Sequence, residues 1–182
     1  MPSTAASSRP PVFLAEPAQL ARDEVVLAGP EGRHATTVRR LAAGERADLT
    51  DGAGTVAECV VTAAVPGRLE LAVLTRRAEP PPEPRVVVVQ ALCKGDRGTL
   101  AVELMTEVGV DVVVPWQAER CVVRWRGERT GQGLGRWRVT AREAAKQSRR
   151  GWFPEIAEPA GAGGVVGLVK SEEHTSELQS PC

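Results

Sequence analysis

A run of cations on one predicted helix is the strongest chemical signal in the sequence. The apolar spacing over residues 134–150 predicts a long helix, along which basic side chains recur at intervals of three, four and seven. These side chains belong to Arg138, Arg142, Lys146, Arg149 and Arg150. Cations spaced in this way can neutralise several phosphates of a nucleic acid. A solvated helix surface gives the same pattern, so the spacing alone leaves both interpretations open.

Further arginines and the tryptophans lie around the same region. The arginines that precede the helix or open it are Arg120, Arg124, Arg126, Arg129 and Arg136, and the tryptophans among them are Trp116, Trp125, Trp137 and Trp152. An exposed indole can stack on an unpaired base, whereas a buried one only packs the core. The pattern therefore favours RNA as one candidate ligand without excluding a structural role.

Other chemically active residue types carry weaker signals. Lys94 and Arg97 lie in a turn after a predicted strand, but this turn lacks the G-x-G-x-x-G spacing of a Rossmann nucleotide site. Glu103 and Glu107 are four residues apart, which places them on the same face of a helix. This spacing fits a pair of catalytic carboxylates and equally a solvated helix face. His34 has no neighbouring acid, serine or cysteine that would indicate catalysis, so we expect it to pack or cap a helix.

The composition excludes several classes of protein. Hydrophobic residues make up 42% and charged residues 25% of the 182 residues, which is typical of a globular protein. The sequence has no apolar run long enough for a membrane span and no signal peptide, so a cytoplasmic location is expected. The four cysteines show no metal-binding or disulfide spacing, so no metal is expected. Residues 85–154 hold 13 of the 23 basic residues but 7 of the 23 acidic ones, which permits a nucleic-acid partner.

The first part of the chain is predicted to be a small β-barrel. Alternating apolar and polar residues predict strands, separated by turns at Gly29–Gly32, Asp51–Gly54 and Pro66–Gly67. The predicted strands cover residues 24–28, 46–50, 55–64 and 68–75. A short helix is expected at 34–41, with Val38 and Leu41 facing inward. Closing so many short strands favours a barrel over residues 1–78.

A proline-rich linker at residues 79–84 separates this barrel from an α/β segment. Beyond it, 85–92 predicts a strand buried on both faces, and 110–115 predicts a second one. A helix capped by Asp96 is expected between them. Its buried face is expected to consist of Leu100, Leu104 and Val108, which recur every four residues. This βαβ unit identifies residues 85–170 as an α/β domain. The long helix is expected to pack through the face made of Trp137, Ala141, Ala144, Ala145 and Ser148. A third strand is expected at 154–158.

An ordered set of short motifs resembles the RsmE family of ribosomal RNA methyltransferases. The set begins with Lys94-Gly-Asp-Arg97, Thr106-Glu-Val-Gly-Val-Asp111 and Ala118-Glu-Arg-Cys121. It continues with Arg136-Trp137 and Glu143-Ala-Ala-Lys-Gln-Ser-Arg-Arg150. Each motif alone is weak, but their order is specific and covers residues 9 to 160. The match before residue 78 is looser.

The resemblance implies a PUA-like RNA-binding barrel followed by a SPOUT domain, whose knot binds S-adenosylmethionine in a paired enzyme. It therefore implies methyl transfer to N3 of a uridine in 16S rRNA of the small ribosomal subunit, by a homodimer. Arg120, Arg149 and Arg150 are the candidates for stabilising the uracil anion. The candidates for contacting RNA are Lys94, Arg97, Arg124, Arg138, Arg142 and Lys146.

Two cofactor motifs of the family are absent from the sequence, Gly-Pro-Glu-Gly-Gly and a later Leu-Gly-x-x-Ile-Leu-Arg. The chain is therefore expected to be an inactive fragment with an incomplete SPOUT domain, whose cofactor residues are unknown. Residues 171–182 resemble a translated sequencing adaptor and are expected to be foreign. The alternatives are another SPOUT enzyme acting on tRNA or rRNA, or a noncatalytic PUA-type RNA-binding protein.

Overall fold

The computed structural model describes residues 9–118, 121–161 and 163–167. These residues form two compact units. The first unit runs to Pro81 and takes in Lys146–Trp152, while the second contains the other described residues from Pro82 onward. Among the described helices, none combines the length and the apolar character needed to cross a membrane. The expectation for 171–182 lies outside the described residues.

The first unit is built on a curled, five-stranded sheet. Its strands are β1 (Val12–Leu14), β2 (Glu24–Leu27), β3 (Arg46–Thr50), β4 (Thr55–Val65) and β5 (Arg68–Ala78). They lie in the order β1-β3-β4-β5-β2, with β1 parallel to β3 and the other neighbours antiparallel. Two register shifts between β4 and β5 increase the local twist and bend the sheet.

The four strands predicted in this unit are confirmed, with ends displaced by at most three residues. Their alternating inward residues form one core, whose most deeply buried large members are Phe13, Leu49, Leu69 and Leu71. Strand β1 and the short helix α1 (Pro17–Leu20) were not predicted. Both are too short to show periodicity, and β1 is defined by its pairing with β3, which is distant in sequence.

The connection after β2 differs from the prediction. The Gly29–Gly32 segment, expected to be a turn, opens helix α2 (Gly29–Arg33), because Pro30 is well suited to the first turn of a helix. A π-helical turn follows at His34–Val38, where His34 packs edge-to-face on Phe13. The prediction that Val38 faces inward is wrong, since Val38 is 70% exposed and Leu41 alone packs against the core.

Residues 146–152 complete the first unit from far along the chain. Gly54 donates its backbone N–H to Gly151 at 2.9 Å, and the Trp152 indole donates to the carbonyl of Glu79 at 3.0 Å. Gly54 has a positive φ of 97°, and a side chain there would clash with Trp152. The backbone of the turn is therefore matched closely to the segment that packs on it.

One ion pair of this segment is largely removed from water. The Lys146 ammonium contacts a Glu31 carboxylate oxygen at 3.0 Å, with the two side chains 2% and 21% exposed. The other Glu31 oxygen accepts a hydrogen bond from the Leu14 backbone N–H at 3.2 Å. Glu31 therefore ties strand β1 to the late segment.

The second unit is an α/β unit, as predicted. Its strands β6 (Val87–Ala91), β7 (Val112–Trp116) and β8 (Glu155–Ile156) form a parallel sheet in the order β6-β7-β8. Helix α3 (Arg97–Glu107) joins β6 to β7, which confirms the βαβ unit, and helix α4 (Glu128–Ser148) precedes β8. Strand β7 is buried as expected, but β6 is only half-buried, because it is the edge of the described sheet.

The buried face of α3 is not the predicted one. Leu100, Leu104 and Val108 are 54%, 51% and 80% exposed, while Val102 and Thr106 are fully buried. Gly98 continues this buried face, because a side chain there would lie 3.2 Å from the Trp137 ring. The small residues let α3 approach Trp137 closely, and this fit outweighs the larger apolar area of the leucines. Asp96 also makes no side-chain capping bond.

Helix α4 begins earlier than predicted and ends two residues sooner. Its buried residues include Trp137, Ala141, Ala144 and Ala145, as expected, but Ser148 is exposed. Lys146, predicted on the basic surface, is 4% exposed and belongs to the first unit. It departs from the cationic stripe because its partner Glu31 lies in that unit.

Replacing Lys146 by Met should lower the free energy of unfolding by about 3 kcal/mol, since Glu31 would keep a largely buried charge without its cation. Urea denaturation followed by circular dichroism measures the change. Arg142→Met is the matched control, because Arg142 is exposed, and it should change stability by less than about 1 kcal/mol. Equal losses in the two variants would contradict a structural role for the Lys146–Glu31 pair.

Candidate nucleic-acid interface

The loop between β6 and α3 presents two of the predicted cations. Lys94 and Arg97 are both exposed, on either side of Gly95, whose φ of 68° makes the chain turn sharply. Beside this loop lies a crevice of about 200 Å³, lined by Gly98, Trp125 and Arg136 among others. The loop follows the carboxyl end of β6, the edge where parallel sheets commonly bind ligands.

The tryptophans of the second unit serve mainly as core residues. Trp137 is 3% exposed and meets Trp125 edge-to-face, with ring centroids 5.2 Å apart. Trp125 is half-buried and packs directly on Gly133. The Trp116 indole nitrogen is buried and has no acceptor among the described residues. Base stacking by several indoles, one of the two interpretations of the sequence, is therefore not supported by their burial.

The cations on the exposed side of α4 have weak partners. Arg138 contacts Glu158 at 3.1 Å and Arg142 contacts Glu143 at 3.7 Å, and all four side chains are at least 43% exposed. Ion pairs in such exposed positions contribute little and exchange readily for another anion. Arg124, also exposed, lies in the loop before this helix. These three arginines keep the accessibility that a phosphate contact requires.

The three arginines predicted to stabilise the uracil anion are placed differently. Arg120 lies outside the described residues, and Arg150 is half-buried. Arg149 contacts Asp48 at 3.4 Å, with side chains 27% and 14% exposed. Burial raises the pKa of Asp48 above its ordinary value, while the Arg149 guanidinium counteracts part of that rise. The described contacts of Arg149 therefore anchor it to strand β3.

Folding brings Lys146 and Arg149 together with cations that the sequence analysis did not single out. These are Arg9, Arg39 and Arg46, which share with them a cavity of about 820 Å³ in the first unit. Arg9, Arg39 and Arg46 lie on three separate parts of the chain and have no common periodicity. A sequence pattern could not have grouped them, because the curl of the sheet sets their proximity. In the described part of the chain, no group of three His, Cys, Asp or Glu side chains is arranged to hold a metal.

Two family models match the chain in the order of its two units. The RNA methyltransferase PUA domain matches residues 27–74, and the RNA methyltransferase domain matches residues 80–175. The first match runs from the last residue of β2 into β5 and includes all of β3 and β4, and the second covers the whole βαβ unit. The predicted fold class, a PUA-like β domain followed by a SPOUT-like α/β domain, is confirmed.

Individual relatives agree with the family models. Two relatives are named ribosomal RNA small subunit methyltransferase E, one from Mycobacterium bovis and one from Mycobacterium tuberculosis. Each is 46% identical to this chain over 166 residues, which cover 84% of this chain and 63% of the relative. A crystal structure of the protein of that name from Neisseria gonorrhoeae, bound to S-adenosyl methionine, is 28% identical with a TM-score of 0.75. The alignment covers 84% of this chain and 63% of the Neisseria gonorrhoeae chain. The chain thus spans less than two thirds of the length of these relatives, and it belongs to the RsmE family of RNA methyltransferases.

Proposed function

We propose that the complete gene product is an S-adenosylmethionine-dependent methyltransferase acting on 16S rRNA of the small ribosomal subunit. The observation that carries this proposal is the 46% identity with relatives of that name over an alignment of 166 residues. The exposed cations around the second unit support an RNA substrate. A cytoplasmic location accords with such a substrate.

The proposed acceptor is N3 of a uridine. This nitrogen carries a proton at neutral pH, so the enzyme must remove the proton or stabilise the uracil anion that its loss creates. Guanidinium groups aimed at the neighbouring carbonyl oxygens perform the second task. Arg150 and Arg120 are the residues proposed to stabilise the uracil anion. Arg149 is left out of this role, because Asp48 already holds its guanidinium at 3.4 Å.

The proposed RNA contacts of the second unit are the exposed cations Lys94, Arg97, Arg124, Arg138 and Arg142. Their role is to fix the position of the RNA through its phosphates, which carry no sequence information. Lys146 is omitted from this set because its ammonium is buried against Glu31. We also propose that two copies pair, and the exposed apolar face at Leu100, Leu104 and Val108 supports a covering partner.

The cavities of the described residues do not fit S-adenosylmethionine. The cavity of about 820 Å³ is lined by several arginines and that of about 430 Å³ by Arg40 and no carboxylate, so both would repel a cofactor with a net positive charge. The 200 Å³ crevice contains Asp96 but is smaller than the roughly 300 Å³ that cofactor sites of this kind occupy. No step of the reaction is therefore derived from cofactor contacts.

The proposed activity is tested with a protein of the relatives' full length, because this chain spans 63% of the length of its curated relatives. Incubation with small ribosomal subunits and labelled S-adenosylmethionine should place one methyl group on N3 of a uridine, as located by mass spectrometry. Methylation of tRNA or of another rRNA atom would select the alternative SPOUT enzyme. RNA binding without any methyl transfer would select the noncatalytic RNA-binding protein.

The 182-residue chain itself should show no S-adenosylmethionine binding in titration calorimetry, because the two larger cavities have the wrong charge for the cofactor and the 200 Å³ crevice is too small for it. The Mycobacterium tuberculosis relative serves as the positive control under the same conditions. Micromolar affinity of the 182-residue chain would show that a cofactor site exists which its cavities do not reveal.

A further inference from the structure

We propose that the crevice of the second unit binds one guanine base of the RNA substrate and thereby supplies part of the sequence specificity. The crevice is the space of about 200 Å³ beside the loop between β6 and α3. The inference rests on the proposed action on RNA. It assigns a task that the phosphate contacts cannot perform, because phosphates are the same in every sequence.

The crevice is formed by parts of the chain that are distant in sequence. The loop after β6 and the first turn of α3 contribute one part, the segment before α4 a second, and α4 itself a third. Two of the motifs found in the sequence meet here, since Asp96 belongs to Lys94-Gly-Asp-Arg97 and Arg136 to Arg136-Trp137. The fold therefore brings an acidic and a basic side chain of separate motifs to one small space.

These two opposite charges line the crevice without neutralising each other. Asp96 and Arg136 are both exposed, and neither side chain forms an ion pair within the part of the chain that the structure describes. Asp96 also makes no capping hydrogen bond to α3. A carboxylate accepts hydrogen bonds and a guanidinium donates them. The pair therefore favours a ligand that offers donors on one edge and acceptors on another.

An aromatic surface lies in the same crevice as the two charges. Trp125 is half-buried, and its indole packs on Gly133 and meets Trp137 edge-to-face at 5.2 Å between ring centroids. These contacts hold the ring in place where it lines the crevice. A fixed indole is a stacking surface for a planar base. Pockets for larger organic ligands start at roughly 300 Å³, so a space of 200 Å³ suits a single base.

Guanine is the base whose edges match both charges. Its N1–H and its N2 amino group are neighbouring donors, which the two oxygens of a carboxylate can accept together. Its O6 and N7 are neighbouring acceptors, which a guanidinium contacts through two hydrogen bonds. Adenine, cytosine and uracil each have a single donor group on the Watson–Crick edge, and none of them has the O6 and N7 acceptor pair.

The surroundings of the crevice favour a base within an RNA chain over a free nucleotide. Three exposed cations are each flanked in the sequence by two residues that line the crevice, and these cations are Lys94, Arg97 and Arg124. Because they come from two segments, they can contact phosphates before and after an inserted base. A free mononucleotide has phosphate on one side only.

The test measures, by fluorescence anisotropy, how tightly the 182-residue chain binds a short oligouridine with one central guanosine. The same oligomer with adenosine at that place is the reference. The wild-type chain should prefer guanosine roughly 5- to 150-fold, the discrimination that a base contacted through two hydrogen bonds gives. Inosine lacks only the N2 amino group, so the oligomer with inosine should bind with intermediate affinity.

Asp96→Asn separates base recognition from general electrostatics. If Asp96 acts only through its charge, its removal strengthens the binding of every RNA equally. We expect instead that the preference for guanosine is lost, because the amide replaces one acceptor oxygen by a donor. Glu103→Gln is the matched control, since Glu103 is an exposed carboxylate of α3 outside the crevice lining, and it should keep the preference.

Arg136→Lys keeps the positive charge and removes the two-bond contact with O6 and N7. The preference for guanosine should fall, while the slope of log affinity against log salt stays unchanged. Arg129→Lys is the control on the same helix, because Arg129 is exposed and lies outside the crevice lining. It should bind like the wild type. Circular dichroism checks the fold of each variant.

Equal binding of the guanosine and adenosine oligomers by the wild-type chain would overturn the assignment, and so would a preference that survives in both crevice variants. Guanosine monophosphate that binds as tightly as the guanosine oligomer would assign the crevice to a free nucleotide and overturn it as well. A chain that binds neither oligomer would count against this inference and the proposed action on RNA together. A preference for guanosine without methyl transfer by a protein of the relatives' full length would reject the proposed function alone.

Discussion

Two carboxylates, one in the curled sheet and one in helix α2, are paired with cations that come from far along the chain. Glu31 receives Lys146 across 115 residues, and Asp48 receives Arg149 across 101 residues. A carboxylate removed from water without a partner costs several kcal/mol, so these contacts add substantially to the stability of the first unit. The hydrogen bonds of Gly54 and Trp152 then fix the backbone of the same late segment. The cavity wall contributed by Lys146 and Arg149 depends on this return of the chain.

The same helix therefore performs two different electrostatic tasks. Arg138 and Arg142 point into solvent, where their carboxylate neighbours hold them weakly. Lys146, one turn beyond Arg142, is buried and structural. The distinction depends on what faces each cation. A charge opposite a buried carboxylate stabilises the fold, and a charge opposite water remains available for a ligand.

The pattern of the sequence predicted those parts of the fold that depend on local periodicity. Strands β3, β4 and β5, the βαβ unit and the packing of Trp137 and Ala141 all follow from apolar spacing. The buried face of α3 was missed because bulk apolarity favoured Leu100 and Leu104, whereas the fit of Gly98 against Trp137 decided the orientation. The group of Arg9, Arg39 and Arg46 was missed because tertiary structure alone brings the three together. The family was recognised from ordered motifs, which record common descent in a way that periodicity cannot.

The position of residues 146–152 also has a consequence for synthesis on the ribosome. Translation delivers the chain from its N-terminus, so the strands of the first unit emerge well before the segment that completes them. During that interval Glu31 and Asp48 lack their cations, and the sheet has only its own apolar core to hold it. The nascent first unit is therefore less stable than the finished one, and residues 82–145 of the second unit are synthesised before the first unit is complete. Folding of this N-terminal domain is thus coupled to the elongation of the chain past residue 152.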